Sequence, residues 1–129
     1  MYYGGWDGLH GSRTRGASVA VAKWRRDGFV SYANGGHQLG VITTKPLRFT
    51  GTALHLNADV KGTLKVEVLD ASGAAVPGFT AADSVAITGD GIDRVATWRN
   101  GRTLADLAGQ DIGLRFHLDD GHLYFYRFS

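Results

Sequence analysis

An all-β chain folded as a two-sheet antiparallel β-sandwich, jelly-roll-like and with an N-terminal β-hairpin extension, is the fold this sequence predicts, and three observations predict it. Almost every apolar segment alternates with polar residues over four to eight positions, the period of a half-buried strand. Glycine, at 19 of 129 residues, is about twice as frequent as in average proteins, and with Asn, Asp and Pro it bounds those segments as tight turns require. No segment holds a helical period long enough for a crossover, so the strands must pair antiparallel.

The first 27 residues stand apart. Tyr2-Tyr3-Gly4-Gly5-Trp6-Asp7-Gly8 is aromatic and Gly-rich, Gly11 to Gly16 reads as a polar loop, and Ala17 to Trp24 as a small-residue strand, which together make a hairpin. The chain therefore divides into a hairpin or junction segment, 1–27, and a sandwich domain, 28–129.

Within the sandwich, Thr52 to Asp59 places Leu54, Leu56 and Ala58 on one face and Ala53, His55 and Asn57 on the other. Thr63 to Asp70 repeats the pattern with Leu64, Val66 and Val68. Val60-Lys61-Gly62 between them reads as a hairpin connection, and Asp70-Ala71-Ser72-Gly73 as the next turn. Thr80 to Ser84 and Thr103 to Ala108 read as single-turn corners, with Thr80 facing Asp83 and Thr103-Leu104-Ala105-Asp106 capped before Gly109. Ile92 to Trp98 and Ile112 to Leu118 follow as strands, and Asp119-Asp120-Gly121 reads as a tight hairpin leading into His122 to Phe128. Trp98, Tyr124, Tyr126 and Phe128 fall at core positions of these strands. Two packed sheets accommodate this order best, and a closed barrel is the second arrangement.

Composition narrows the function. The length suits one core and one domain. Lys and Arg are scattered and the formal charge is only +2, which argues against nucleic acid as a partner. Without cysteine there is neither a disulfide framework nor a thiolate chemistry. No stretch approaches the roughly 18 apolar residues of a membrane span, and the N-terminus lacks the charged and apolar regions of an export signal, so such a signal is expected elsewhere.

The segments Tyr2 to Gly8 and Ala20-Val21-Ala22-Lys23-Trp24-Arg25-Arg26-Asp27-Gly28-Phe29-Val30-Ser31 resemble the closing propeller strands and domain junction of bacterial five-bladed β-propeller glycosidase-like proteins, related to the invertase and arabinanase group. The rest is similar to the β-sandwich that follows the propeller there, through Thr43-Thr44-Lys45-Pro46-Leu47, Leu56-Asn57-Ala58-Asp59, Val66-Glu67-Val68-Leu69-Asp70, Pro77-Gly78-Phe79, Thr88-Gly89-Asp90, Trp98 and Leu114-Arg115-Phe116. The resemblance implies an accessory module beside a glycosidase catalytic domain, in an extracytoplasmic setting where that glycosidase is secreted. It carries over no catalytic residue, because the propeller carboxylates lie upstream of every residue present.

Sugar binding is the chemistry the residues favour, since an aromatic ring stacks on the apolar face of a pyranose while polar neighbours bond its hydroxyls. Tyr2, Tyr3, Trp6, Trp24 and Tyr32 supply the rings, with Asp7, His10 and Arg26 beside them. The competing reading packs the same rings at the junction with a neighbouring domain or against a second copy of the chain. A small glycoside hydrolase using Asp7 and Asp27 is the rival from another class, and a purely structural domain the third reading. His117, Asp119, Asp120 and His122 bring two imidazoles and two carboxylates to one supposed hairpin end, the best metal candidates here, though their spacing matches no zinc signature. Asp83, Asp90 and Asp93 are the oxygen donors for a structural calcium; otherwise no cofactor is expected. Ser18, Ser31, Ser72, Ser84 and Ser129 sit in no nucleophile elbow, and His37 and His55 have no partner visible in the sequence.

Overall fold

Alternation is realised as eight β-strands and one 3-10 turn in the computed structural model, which describes residues 1–129. In chain order these are β1 (Tyr2–Trp6), β2 (Ala17–Val21), β3 (Tyr32–Asn34), β4 (Gly40–Thr43), β5 (Leu47–Arg48), β6 (Leu54–Leu69), β7 (Ile87–Val95), the 3-10 turn Leu104–Leu107, and β8 (Asp111–Phe128). β1 and β2 form their own two-stranded sheet. The other six are antiparallel in the order β3-β8-β6-β7, with β4 and β5 also pairing β8.

Two of these strands are too long to be straight. At about 3.3 Å per residue, the 16 residues of β6 and the 18 of β8 would extend more than about 50 Å, whereas a domain of this length is only about 35 Å across. They bend together instead. Leu54, Leu56, Ala58 and Val60 from the first half of β6, and Leu64, Val66 and Val68 from the second, all enter one cluster of 19 buried residues. The two layers of the sandwich are thus built largely from two halves of one long ribbon.

The bend corrects two expectations. Val60-Lys61-Gly62 and Asp119-Asp120-Gly121 are not hairpin turns, because β6 and β8 run through them unbroken. Val60 pairs with Gly121 and Thr63 with Asp119, so Lys61 and Gly62 together oppose Asp120: a β-bulge, which bends a strand and increases its twist. Both glycines are required by closeness. A Cβ on Gly62 would lie 2.3 Å from the Asp119 carbonyl oxygen, and one on Gly121 would lie 2.6 Å from that of Asp59. Turn-like residues serve here to let two backbones approach and bend in register. Likewise, the strand expected at Ile92 to Trp98 starts earlier, at Ile87, and stops at Val95; Trp98 retains a single bridge, to Ser84.

A second bulge decides what β8 exposes. Asn57 pairs with Phe125 but Ala58 with Leu123, leaving Tyr124 as the extra residue. Alternation therefore breaks: Leu123 points into the core, Tyr126 and Phe128 pack against it, and Tyr124 stays outside. Of the four aromatic residues expected inside, Tyr124 is the correction.

Beyond Leu64, β6 has no strand on its β7 side, and loop residues cover that edge. The Val66 N–H donates to Ser84 Oγ (3.0 Å), its carbonyl accepts from Trp98 Nε1 (3.1 Å), and the Val68 N–H donates to the Phe79 carbonyl (2.9 Å). Phe79 and Trp98 meet edge to face, with ring centroids 5.0 Å apart.

Both single-turn corners form, the second as the 3-10 turn preceded by Thr103. In the first, Asp83 Oδ2 accepts from Thr80 Oγ1 (2.7 Å) and from the Thr80 N–H (3.1 Å). These bonds, the side-chain one foremost, hold the Asp83 carboxyl below its usual 3.8. A carboxylate depressed in the folded state stabilises it above the unfolded pKa and loses that contribution as pH falls through the folded value. The urea midpoint is therefore expected to be level above about pH 5 and to fall on acidification, and Asp83→Asn should make that fall shallower. An unchanged acid limb in the variant would contradict this role.

Candidate functional site

Around the second half of β8 an aromatic hollow opens beside the core. β3 pairs Tyr32 with Leu123, which brings Tyr32 beside the displaced Tyr124. Between β4 and this part of β8 lies a half-open cleft of about 480 Å³, walled by Tyr32, Ile42, Thr43, Tyr124 and Tyr126, with Phe116 beneath. A neighbouring depression of about 250 Å³ shares Tyr32 and Tyr124 and adds Val30 and Ser31. The cleft volume falls within the roughly 300–1,000 Å³ of small-molecule sites. No acidic side chain lines either hollow.

Arg25 holds this region from behind. Its guanidinium lies 4.9 Å from the centre of the Tyr124 ring, donates from Nε to Asn57 Oδ1 and from Nη2 to the Ala58 carbonyl (3.2 Å), and pairs through Nη1 with Asp90. Asn57, buried on the outer face of β6, returns a bond from Nδ2 to the Arg26 carbonyl (2.7 Å). Ser31 Oγ lies 3.0 Å from His122 Nδ1, and the His122 ring stacks on Tyr124 at 5.8 Å. The segment joining hairpin to sandwich is thus fastened at Arg25, Arg26 and Ser31.

The residues expected to bind sugar do not converge. Tyr2, Tyr3 and Trp6 lie on the hairpin, where they are 80%, 51% and 61% exposed, with the Arg15 guanidinium 5.9 Å from the Trp6 ring. Asp7 accepts from the Gly16 N–H (2.6 Å) and so closes the hairpin loop, while His10 is exposed within that loop. Trp24 packs on Phe29 at 5.4 Å. Arg26 extends into solvent beside Asp27 (3.7 Å) and contributes through its carbonyl, not its guanidinium. Asp27 sits at a left-handed backbone position, φ 53°. Only Tyr32 reaches the cleft, with Tyr124 and Arg25 as the partners that sequence reasoning missed.

The metal candidates separate as well. His117 Nε2 faces Glu67 (3.4 Å), Asp119 and Asp120 lie at the bend, and His122 is engaged with Ser31 and Tyr124. The proposed calcium donors each have another neighbour: Thr80 for Asp83, Arg25 for Asp90, and His55 with Arg127 for Asp93. No three His, Asp or Glu side chains gather in a metal-binding group.

A second polar cluster has no counterpart in sequence spacing. On the outer face where β6, β7 and β8 run together, His55 Nδ1 lies 2.8 Å from Asp93 Oδ1, and His55 Nε2 lies 2.8 Å from Ser129 Oγ. Arg127 Nη2 donates to the same Asp93 oxygen (2.8 Å). Burial opposes ionisation of Asp93, but the bonds from Arg127 and His55 outweigh it and the carboxyl is held below its ordinary value.

Comparison of the chain with models of known protein families, with curated proteins and with solved structures finds no match.

Proposed function

We propose that this chain is an accessory, carbohydrate-binding β-sandwich module associated with glycoside hydrolases, and that it does not itself cleave glycosidic bonds. The cleft of Tyr32, Tyr124 and Tyr126 carries this reading. Ring faces there suit the C–H face of a pyranose, while phenol hydroxyls, Thr43 and the nearby Ser31 supply hydrogen bonds to its hydroxyls. Arg25 and His122 hold the Tyr124 ring before a ligand arrives, which lowers the ordering cost of binding. Glycosidic cleavage asks for two carboxyl groups roughly 5–9.5 Å apart across the bond, and an acid-free cleft speaks for binding without turnover.

Calorimetric titration of the intact chain with a panel of neutral oligosaccharides tests the reading. A binding sugar is expected to lose about tenfold in affinity with Tyr124→Ala and nothing with Tyr3→Ala, about 1.4 kcal/mol in the first case. Binding to no member of the panel would contradict it, as would glycoside turnover that vanishes in Asp7→Asn or Asp27→Asn.

A second reading, docking on an adjacent glycosidase domain, is favoured by the hairpin. Both of its faces are open, with Tyr2 and Val19 each 80% exposed on one and Tyr3 51% exposed on the other, and a two-stranded ribbon alone is marginal in water. In the isolated chain its amides should exchange far faster than those of β6 and β8. Equal protection would contradict an unfilled docking face. Light scattering separates the occupants: a dimer abolished by Trp6→Ala assigns the face to a second copy, and a monomer to a different domain.

A further inference from the structure

We propose that Ser129, His55 and Asp93 form a nucleophilic site that accepts a short acyl group from an ester, a chemistry separate from sugar binding in the tyrosine cleft. The order of contacts is that of an activated serine: hydroxyl to Nε2 of an imidazole, whose Nδ1 faces a carboxylate, at 2.8 Å each. The His55 side chain is only 16% exposed, so its ring is packed in place.

The proton positions follow from the neighbours. Asp93, kept ionised beside Arg127, can only accept, so His55 Nδ1 must be the nitrogen that carries hydrogen. In the neutral imidazole with its hydrogen on Nδ1, Nε2 carries a lone pair directed at the Ser129 hydroxyl. In the reaction Ser129 Oγ forms a bond to the acyl carbon while its proton passes to Nε2. The ester C–O bond breaks, and the alcohol leaves with that proton. The acyl group has moved from the alcohol to Ser129, and His55 is neutral again. Asp93 is a positioning residue, fixed by Arg127.

A hollow that none of the three residues lines is joined to Ser129 through Ala53. Ser129 exchanges backbone hydrogen bonds with Ala53, its N–H donating to the Ala53 carbonyl (3.1 Å) and its carbonyl accepting from the Ala53 N–H (3.1 Å). Ala53 is also a wall of this hollow of about 450 Å³, with Thr52, Val95, Thr97 and Leu104 around it. Val95, Ala96, Trp98 and Ala105 give it an apolar side that suits a short acyl chain, with Arg102 and Thr103 completing the wall.

The test treats the intact chain with a tagged fluorophosphonate, which forms an O–P bond as fluoride leaves, and maps the adduct by peptide mass; release of nitrophenolate from p-nitrophenyl acetate is followed in parallel. One adduct is expected, on Ser129. Removing the base with His55→Ala or His55→Gln should slow labelling by about 100-fold or more, the ordinary worth of a positioned general base. Asp93→Asn should slow it roughly tenfold or more, with recovery in Asp93→Glu. Circular dichroism identifies any variant that fails to fold, and His55→Gln, which keeps a hydrogen-bonding side chain, then decides. Labelling of Ser129→Ala as fast as the parent, or of folded His55→Gln no slower than the parent, overturns the proposal.

Discussion

Gly121→Val is expected to cost about 3–5 kcal/mol, a third or more of the stability of a typical domain. The new Cβ would lie 2.6 Å from the Asp59 carbonyl oxygen and 2.8 Å from Val60 Cα, both backbone atoms of the paired strand. Neither can give way without parting β6 from β8 at the bend, and that bend brings both halves of the ribbon onto one core. Gly62→Val should act similarly, since its Cβ meets the Asp119 carbonyl oxygen at 2.3 Å. Gly73→Ala is the control: its φ of 86° is strained for alanine, but nothing lies within 4 Å, so about 1 kcal/mol is expected. Urea unfolding of the three variants ranks them, and a Gly121→Val protein as stable as Gly73→Ala would refute the paired-glycine bend.

Arg25→Ala is expected to cost about 2–3 kcal/mol and to free the segment between hairpin and sandwich. Little of this comes from Asp90, which is 64% exposed, because exposed ion pairs contribute little. The larger share comes from Asn57 and the Ala58 carbonyl, which lose a charged donor in a partly buried setting. Arg25→Lys should recover only part, because an ammonium cannot present a planar fork to Asn57, Ala58, Asp90 and the Tyr124 ring together. Hydrogen exchange should show faster opening around 22–31 and around Tyr124, with β6 and the first half of β8 protected as before. Unchanged exchange there would mean that the guanidinium is not the fastener.

The core was legible because it depends on a local period. Leu54, Leu56, Ala58, Leu64, Val66 and Val68 alternate in the sequence and are buried in the structure, and Trp98 joins them. The bend was not legible. Lys61-Gly62 and Asp120-Gly121 are turn chemistry by every local rule, and only their position opposite each other on paired strands turns them into a bulge. Tyr124 was misplaced for the same reason, since one extra residue reverses the facing of those that follow.

At the candidate sites the limit is sequence separation. Tyr32 was visible as an aromatic residue near a turn, but its partner Tyr124 comes from the far end of the chain. Arg25 and Arg26 are indistinguishable by composition, and only contacts with β6, distant in sequence, draw one inward while the other stays in solvent. His55 lies 38 positions from Asp93 and 74 from Ser129, so no motif spacing could have joined them. Antiparallel register brought them together.

The most direct check on the functional account is an amide and aromatic NMR map of the intact chain during titration with a sugar that it binds. Binding between β4 and the second half of β8 predicts saturable shifts at Tyr32, Thr43, Tyr124 and Tyr126, with the signals of Tyr2, Tyr3 and Trp6 unmoved. Shifts confined to the hairpin, with those four residues silent, would place the sugar elsewhere and contradict it.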